Sequence, residues 1–258
     1  MRVVKQFLAV VAVSLVGSRA VAAAQDNAWL SLILGVATAV AAIMVYGWVV
    51  RRTERREVTE LARDGAAARL NRGVLIGFAM FAAVIVNIAL MGGYHVDGIG
   101  SVSGAVGIFG LMAAAAVTEE LMFRGLLFRL VEERLGTWLS LLLTGVLFGL
   151  MHLLNPDAGL WGATAIAIEA GFMLAAAYAA TRNLWVPIGL HFGWNFAAGG
   201  VFGVVVSVGV GQHPAAAAVG ADQHPPVRIQ PDSSPPSGGV SMATGRASST
   251  VWSSIRPR

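Results

Sequence analysis

Glu119-Glu120-Leu-Met-Phe-Arg124, Phe148-Gly-Leu-Met-His152 and His191-Phe-Gly-Trp-Asn195 lie on three separate hydrophobic stretches and bring two carboxylates, a guanidinium, two imidazoles and a carboxamide. Such groups can activate water and hold an oxyanion, the parts a hydrolase needs. Ionisable side chains at bilayer depth cost several kcal/mol unless they pair or line a wet cavity, so they mark a functional site.

Residues four apart share a helix face, which lets Glu120 pair with Arg124 and leaves Glu119 about 100° away as the free carboxylate, the candidate general base. The alternative is a structural charge cluster of both glutamates with Arg124. His152 follows Phe148 by one turn, so the phenyl ring covers the imidazole face and limits water beside it. Alone, such a histidine reads as a packing residue; beside the other motifs it can bind water or a metal. His191 and Asn195 are again one turn apart and can aim an imidazole nitrogen and an amide at one point, an oxyanion hole. The other role open to His191 is zinc ligation with His152 and a glutamate. Glu169 is an auxiliary acid or a helix-packing partner, and Asn87 is expected to bridge helices. Pro187 and Gly189 are expected to loosen the start of the helix bearing His191 and to open a wet pocket there. No His-Glu-x-x-His motif and no Gly-x-Ser-x-Gly elbow occurs.

The ordered set Glu-Glu-x-x-x-Arg, Phe-x-x-x-His and His-x-x-x-Asn resembles the CPBP family of intramembrane proteases, which comprises the CAAX prenyl proteases and the Abi-like bacteriocin-processing proteins. The similarity extends to Arg124-Gly-Leu-Leu-Phe-Arg-Leu-Val-Glu-Glu-Arg-Leu-Gly-Thr-Trp138 and Leu184-Trp-Val-Pro-Ile-Gly-Leu-His-Phe-Gly-Trp-Asn-Phe196, within residues 105–205. The resemblance implies that Glu119 and His152 activate water, that His191 and Asn195 hold the oxyanion, and that Glu120 and Arg124 support them. It also implies a protein or peptide substrate at a membrane. The cofactor is zinc, or none if glutamate activates the water without a metal. A membrane scaffold or bacteriocin self-immunity protein of the same fold is the alternative. A proton-relay transporter would need an internal repeat, and none is visible.

The elements that must position these residues are membrane spans. The 258 residues are 56% hydrophobic and 12% charged, with a mean hydropathy of +0.70, which excludes a soluble domain of this size. The net charge of +4 comes from arginines crowded between apolar segments, chiefly Arg51, Arg52, Arg55, Arg56, Arg63, Arg69 and Arg72. They read as a cytoplasmic loop and not as a nucleic-acid surface. The absence of cysteine removes disulfides and thiol nucleophiles.

Residues 1–24 read as a signal-like segment or a first span, and 25–72 as a transmembrane helix followed by the arginine-rich loop. Within that loop, Glu54 to Leu70 is expected to lie as a helix at the interface. Residues 73–210 form the protease core, with apolar segments near Gly73–Met91, Val102–Leu130, Leu139–Leu154, Leu160–Ala180 and Trp185–Val210. Breaks are expected at Gly92–Gly100, Val131–Thr137, Asn155–Gly159 and Thr181–Asn183. Residues 211–258, rich in Pro, Ser, Gly and Ala, are expected to be disordered. The switch at Gly211 suggests a frame-shifted or truncated end, and no metal role is expected for His213 or His224. The expected fold is all-α, a polytopic transmembrane bundle of six to eight helices with an intramembrane polar cavity, in a bacterial cytoplasmic membrane. Counted at 1.5 Å per residue from cytoplasmic ends at Leu130, Leu139 and Trp185, Glu119, His152 and His191 stand about 17, 20 and 9 Å deep, a mismatch the fold must remove.

Overall fold

The computed structural model describes residues 2–94, 96, 100–155 and 159–203. The expectations for 211–258, including His213 and His224, lie outside the described residues.

The described residues are helical, with no strand among them. Helix α1 is Arg2–Ala23, and α2, Ala28–Glu54, begins at Asn27, whose side chain accepts from the Leu30 amide at 3.0 Å. Helix α3 is Ala66–Leu90. Helix α4, Val102–Glu120, starts with Ser101 accepting from Gly104 N at 3.0 Å. It runs through a π-helical segment, Leu121–Phe128, into α5, Arg129–Met151. Helix α6, Leu160–Ile166, passes through a second π segment, Ala167–Phe172, into α7, Met173–Thr181. Helix α8, Trp185–Phe196, continues as a third π segment, Ala197–Val201.

Five described helical stretches are long and apolar enough to cross a membrane: Arg2–Ala23, Ala28–Glu54, Ala66–Leu90, Val102–Leu154 and Leu160–Thr181. The fourth contains 53 residues, too many for one crossing. It turns at Gly136, whose φ of 77° and ψ of 170° are non-helical. The protein is a multi-pass membrane protein. Its outward-facing surface is apolar, with Leu8, Ile33, Met44, Leu75, Val86 and Ile168 all exposed. Trp29, Trp48, Trp138 and Trp161 are exposed near helix ends, where indoles settle at the lipid–water boundary.

Close packing depends on small residues, since lipid tails offer helices no hydrophobic drive to associate. Helix α3 lies along α8. A Cβ on Gly73 would stand 2.4 Å from Val186 O and one on Gly77 2.1 Å from Leu190 O; reciprocally, Gly189 faces Leu70 O at 2.2 Å and Gly193 faces Val74 O at 2.2 Å. Only glycine permits backbones this near.

Several expectations need correction. Glu54 to Leu70 is not an interfacial helix: Glu54 ends α2, Thr59–Leu61 is one 3₁₀ turn, and α3 already begins at Ala66. Its acidic side chains turn inward to ion pairs with Arg56 and Arg129, which removes the polar face a surface helix requires. No loop spans Val131–Thr137, because only Gly136 leaves helical geometry. Pro187 and Gly189 do not loosen α8. Proline is tolerated in the first turn, where amide partners are lacking anyway, and Gly189 is buried against α3. Asn87 is exposed on α3 and does not bridge helices. Helix α1 is integral to the described bundle: Val10 is fully buried and Gln6 Nε2 donates to Glu54 Oε1 at 2.7 Å.

Candidate active site

Motif residues from α4, its π extension, the end of α5 and α8 meet inside the bundle. Arg124 is at the centre. Its Nη1 donates to Glu120 Oε1 at 2.7 Å, and its Nη2 donates to Gly171 O at 2.9 Å and Ala170 O at 3.4 Å, within the π segment of the facing hairpin. Both partners of the ion pair are buried, Arg124 at 1% exposure and Glu120 at 0%. The guanidinium carbon lies 4.7 Å from the centroid of the Phe148 ring, a cation–π contact strengthened by the dry surroundings. Glu120 Oε2 and Arg124 Nε have no hydrogen-bond partner among the described residues.

Glu120 Oε1 serves a second donor, the Nδ1 of His191, at 2.9 Å. A carboxylate held by arginine can only accept there, so Nδ1 carries a proton and Nε2 faces away from Glu120. That Nε2 lies 3.9 Å from Glu119 Oε2. Glu119 is therefore not the isolated carboxylate that its helix angle suggests, but one side of an imidazole whose other side is Glu120.

His152 opens the 3₁₀ turn His152–Leu154 after α5, and its Nδ1 lies 2.8 Å from Phe148 O. A carbonyl cannot donate, so this ring too presents Nε2. Phe148 separates the imidazoles, with centroids 5.0 Å from His152 and 6.0 Å from His191, and Phe123 packs edge-on against it at 4.9 Å. Asn195 follows His191 by one turn and is buried at 8%. Burial sorts the six residues into two groups. Glu119, His152, His191 and Asn195 keep 6–8% exposure, whereas Glu120 and Arg124 keep 1% or less.

For the helices bearing Glu120 and His191 the structure offers a shared reference point, Glu60. The Leu184 amide, just before α8, donates to Glu60 O at 2.8 Å, and Arg129 Nε, just after the π segment of α4, lies 4.0 Å from Glu60 Oε1. Measured from Glu60, Glu120 and His191 rise by similar numbers of residues. Residues 131–135, assigned to a loop by sequence, are helical, so the Leu130 and Leu139 origins were misplaced.

Among the described residues no three His, Asp or Glu side chains form a group able to hold a metal ion, and no step is derived through one. Glu169 sits on the second π segment but is exposed, so it is neither an acid of this site nor a packing partner. Sequence reasoning missed Tyr46 and Glu60, which touch the site's supports; a lone tyrosine in an apolar span and a glutamate in a charged loop give no signal.

Comparison with known proteins agrees with the motifs. Residues 101–197 match the family model of type II CAAX prenyl endopeptidase Rce1-like proteins. The chain is 27% identical over 150 residues to the "Putative membrane peptidase YdiL" of Bacillus subtilis (strain 168), a match covering 53% of this chain and 59% of that protein. The match thus spans under two thirds of the relative's length. No solved structure matches. The matched segment 101–197 holds all the candidate residues from Glu119 to Asn195, and its likeness is to the Rce1-like, type II CAAX prenyl endopeptidase family.

Proposed function

We propose that the protein is an intramembrane endopeptidase that hydrolyses a peptide bond in a membrane-associated protein or peptide. The observation that carries this reading is the approach of His191 to both carboxylates, 2.9 Å to Glu120 and 3.9 Å to Glu119, with Phe148 packed between its ring and that of His152. Water placed between Glu119 and the His152 Nε2 gives its proton to Glu119, and the hydroxide oxygen attacks the scissile carbonyl carbon. The oxyanion is received by the Asn195 amide and by His191. Donation from His191 Nε2 requires a ring that enters the cycle with both nitrogens protonated, Nδ1–H facing Glu120, and that keeps its Nε2 proton when the oxyanion collapses. Collapse breaks the C–N bond, and the proton held by Glu119 leaves on the amine. A base and two aimed donors, enclosed away from bulk water, are the established ingredients of amide hydrolysis.

The test compares protein termini in membranes of cells expressing wild type or Glu119→Ala at matched levels. New termini in wild type alone are expected, and they name the substrate. Identical termini, with folded protein in both, would overturn the reading in favour of a non-proteolytic scaffold or immunity protein.

A further inference from the structure

Beneath the site lies a second polar cluster that no motif marks. Tyr46 of α2 is fully buried, and its hydroxyl donates between Glu60 Oε1 at 2.6 Å and the carbonyl of Gly125 at 2.9 Å. Gly125 sits in the π segment that joins Glu120 to Arg129. The Arg129 amide, which would close an α-turn on Gly125, bonds Leu126 O instead, and the Gly125 oxygen takes the Tyr46 hydroxyl together with Arg129 Nε at 3.1 Å. A Cβ on Gly125 would stand 2.8 Å from Tyr46 Cε2, so the glycine admits the tyrosine ring.

Glu60 is almost fully buried and carries more than this one bond. Arg56 grips both of its oxygens at 2.7 and 2.8 Å, and its own carbonyl accepts from Leu184 N at 2.8 Å. Arg129 continues the cluster through paired bonds to Glu54 at 2.6 and 2.8 Å. One carboxylate therefore reaches the helix of Glu119 and Glu120 through Tyr46, while its backbone holds the start of α8, which carries His191. π-helical turns are energetically inferior to α-helical ones and persist where surrounding contacts over-determine them. Here one outside contact on the backbone itself is the Tyr46 hydroxyl.

We infer that Tyr46 and Glu60 are positioning residues: through the Gly125 and Leu184 backbones they set the register between the helix bearing Glu119 and Glu120 and the helix bearing His191. A fully satisfied buried network is suited to fixing such a register. The inference rests on the hydrolytic reading only where turnover is concerned.

The test uses the full chain in detergent micelles with ¹⁵N-labelled histidine, as wild type, Tyr46→Phe, Glu60→Gln and, as control, Ser31→Ala, which removes a buried hydroxyl bonded to Ala24 O. Amide exchange over 121–129 is expected to rise about fivefold or more in Tyr46→Phe while 66–90 stays protected, since local opening reports local support. The His191 ring-nitrogen resonances move in Tyr46→Phe and Glu60→Gln and stay in place in Ser31→Ala. In membranes, formation of the wild-type termini falls about tenfold or more, as misplacement of reacting groups predicts. Unchanged exchange and unchanged His191 resonances would overturn the inference. So would faster exchange spread equally over 66–90, which would make Tyr46 a packing residue. Moved resonances with no Glu119-dependent termini would uphold the register and overturn the protease reading instead.

Discussion

Glu120 and His191, 71 residues apart in the chain, are joined by a 2.9 Å contact between Oε1 and Nδ1. Through this bond the Arg124 ion pair fixes which nitrogen of His191 faces Glu119. Replacing Glu120 by Gln keeps the shape but takes from the buried Arg124 its ion-pair partner. Breaking a buried ion pair by removing one partner destabilises by about 3–5 kcal/mol, so Glu120→Gln is expected to lower the unfolding midpoint measured in detergent. A midpoint equal to wild type would show that the ion pair does not support the fold.

Glu119 and Asn195 predict a different signature. Glu119→Gln is expected to abolish formation of new termini with the unfolding midpoint retained. Asn195→Ala is expected to slow it about 10²–10³-fold, the usual loss of one oxyanion donor. An Asn195→Ala protein that cleaves at the wild-type rate would remove that residue from the oxyanion site.

The α3–α8 contact predicts sensitivity far from the chemistry. A methyl on Gly193 would meet Val74 O at 2.2 Å, and relieving such crowding costs about 1–3 kcal/mol. Gly193→Ala is therefore expected to lower stability and to shift His191 away from Glu120. Retained stability with an unmoved His191 resonance would contradict the packing argument.

Glu60 gives a pH dependence with a definite sign. Burial alone would raise its pKa, but hydrogen bonds from Arg56 and Tyr46 outweigh this and hold it below the ordinary 4.5. A carboxyl depressed in the folded state contributes stability above its unfolded pKa and loses it as pH falls through the folded one. Unfolding midpoints are thus expected to fall on acidification below about 4.5, with a smaller fall in Glu60→Gln. Equal acid sensitivity of the two proteins would remove Glu60 as a cause.

The donor arrangement predicts that a zinc chelator leaves the pattern of new termini unchanged. Loss of cleavage under chelation, restored by added zinc, would show that the site rearranges to gather ligands.

The membrane character and helical architecture were legible because apolar runs of span length have no other stable fate, and the spacing of Glu120 and Arg124 let the ion pair be foreseen. What escaped the sequence is tertiary. Breaker signals over Val131–Thr137 suggest a loop, whereas the chain turns at Gly136 alone. Nothing local says that Glu54 and Glu60 turn inward to Arg129, a residue 75 positions from Glu54. Gly189, read as a helix loosener, owes its place to the backbone of α3. The π turns are equally silent, because they depend on partners such as Tyr46 supplied by other helices.

On the hydrolytic reading proposed above, the 6–8% exposure of Glu119, His152, His191 and Asn195 also limits the shape of a substrate. An α-helix is about 10–12 Å across with its side chains and keeps its carbonyls bonded along its own axis. Such a rod cannot bring a peptide carbonyl to four nearly enclosed side chains. The scissile stretch has to arrive as a single extended strand, so helix-breaking glycine or proline near the cut should quicken cleavage and a stiff polyleucine flank should slow it.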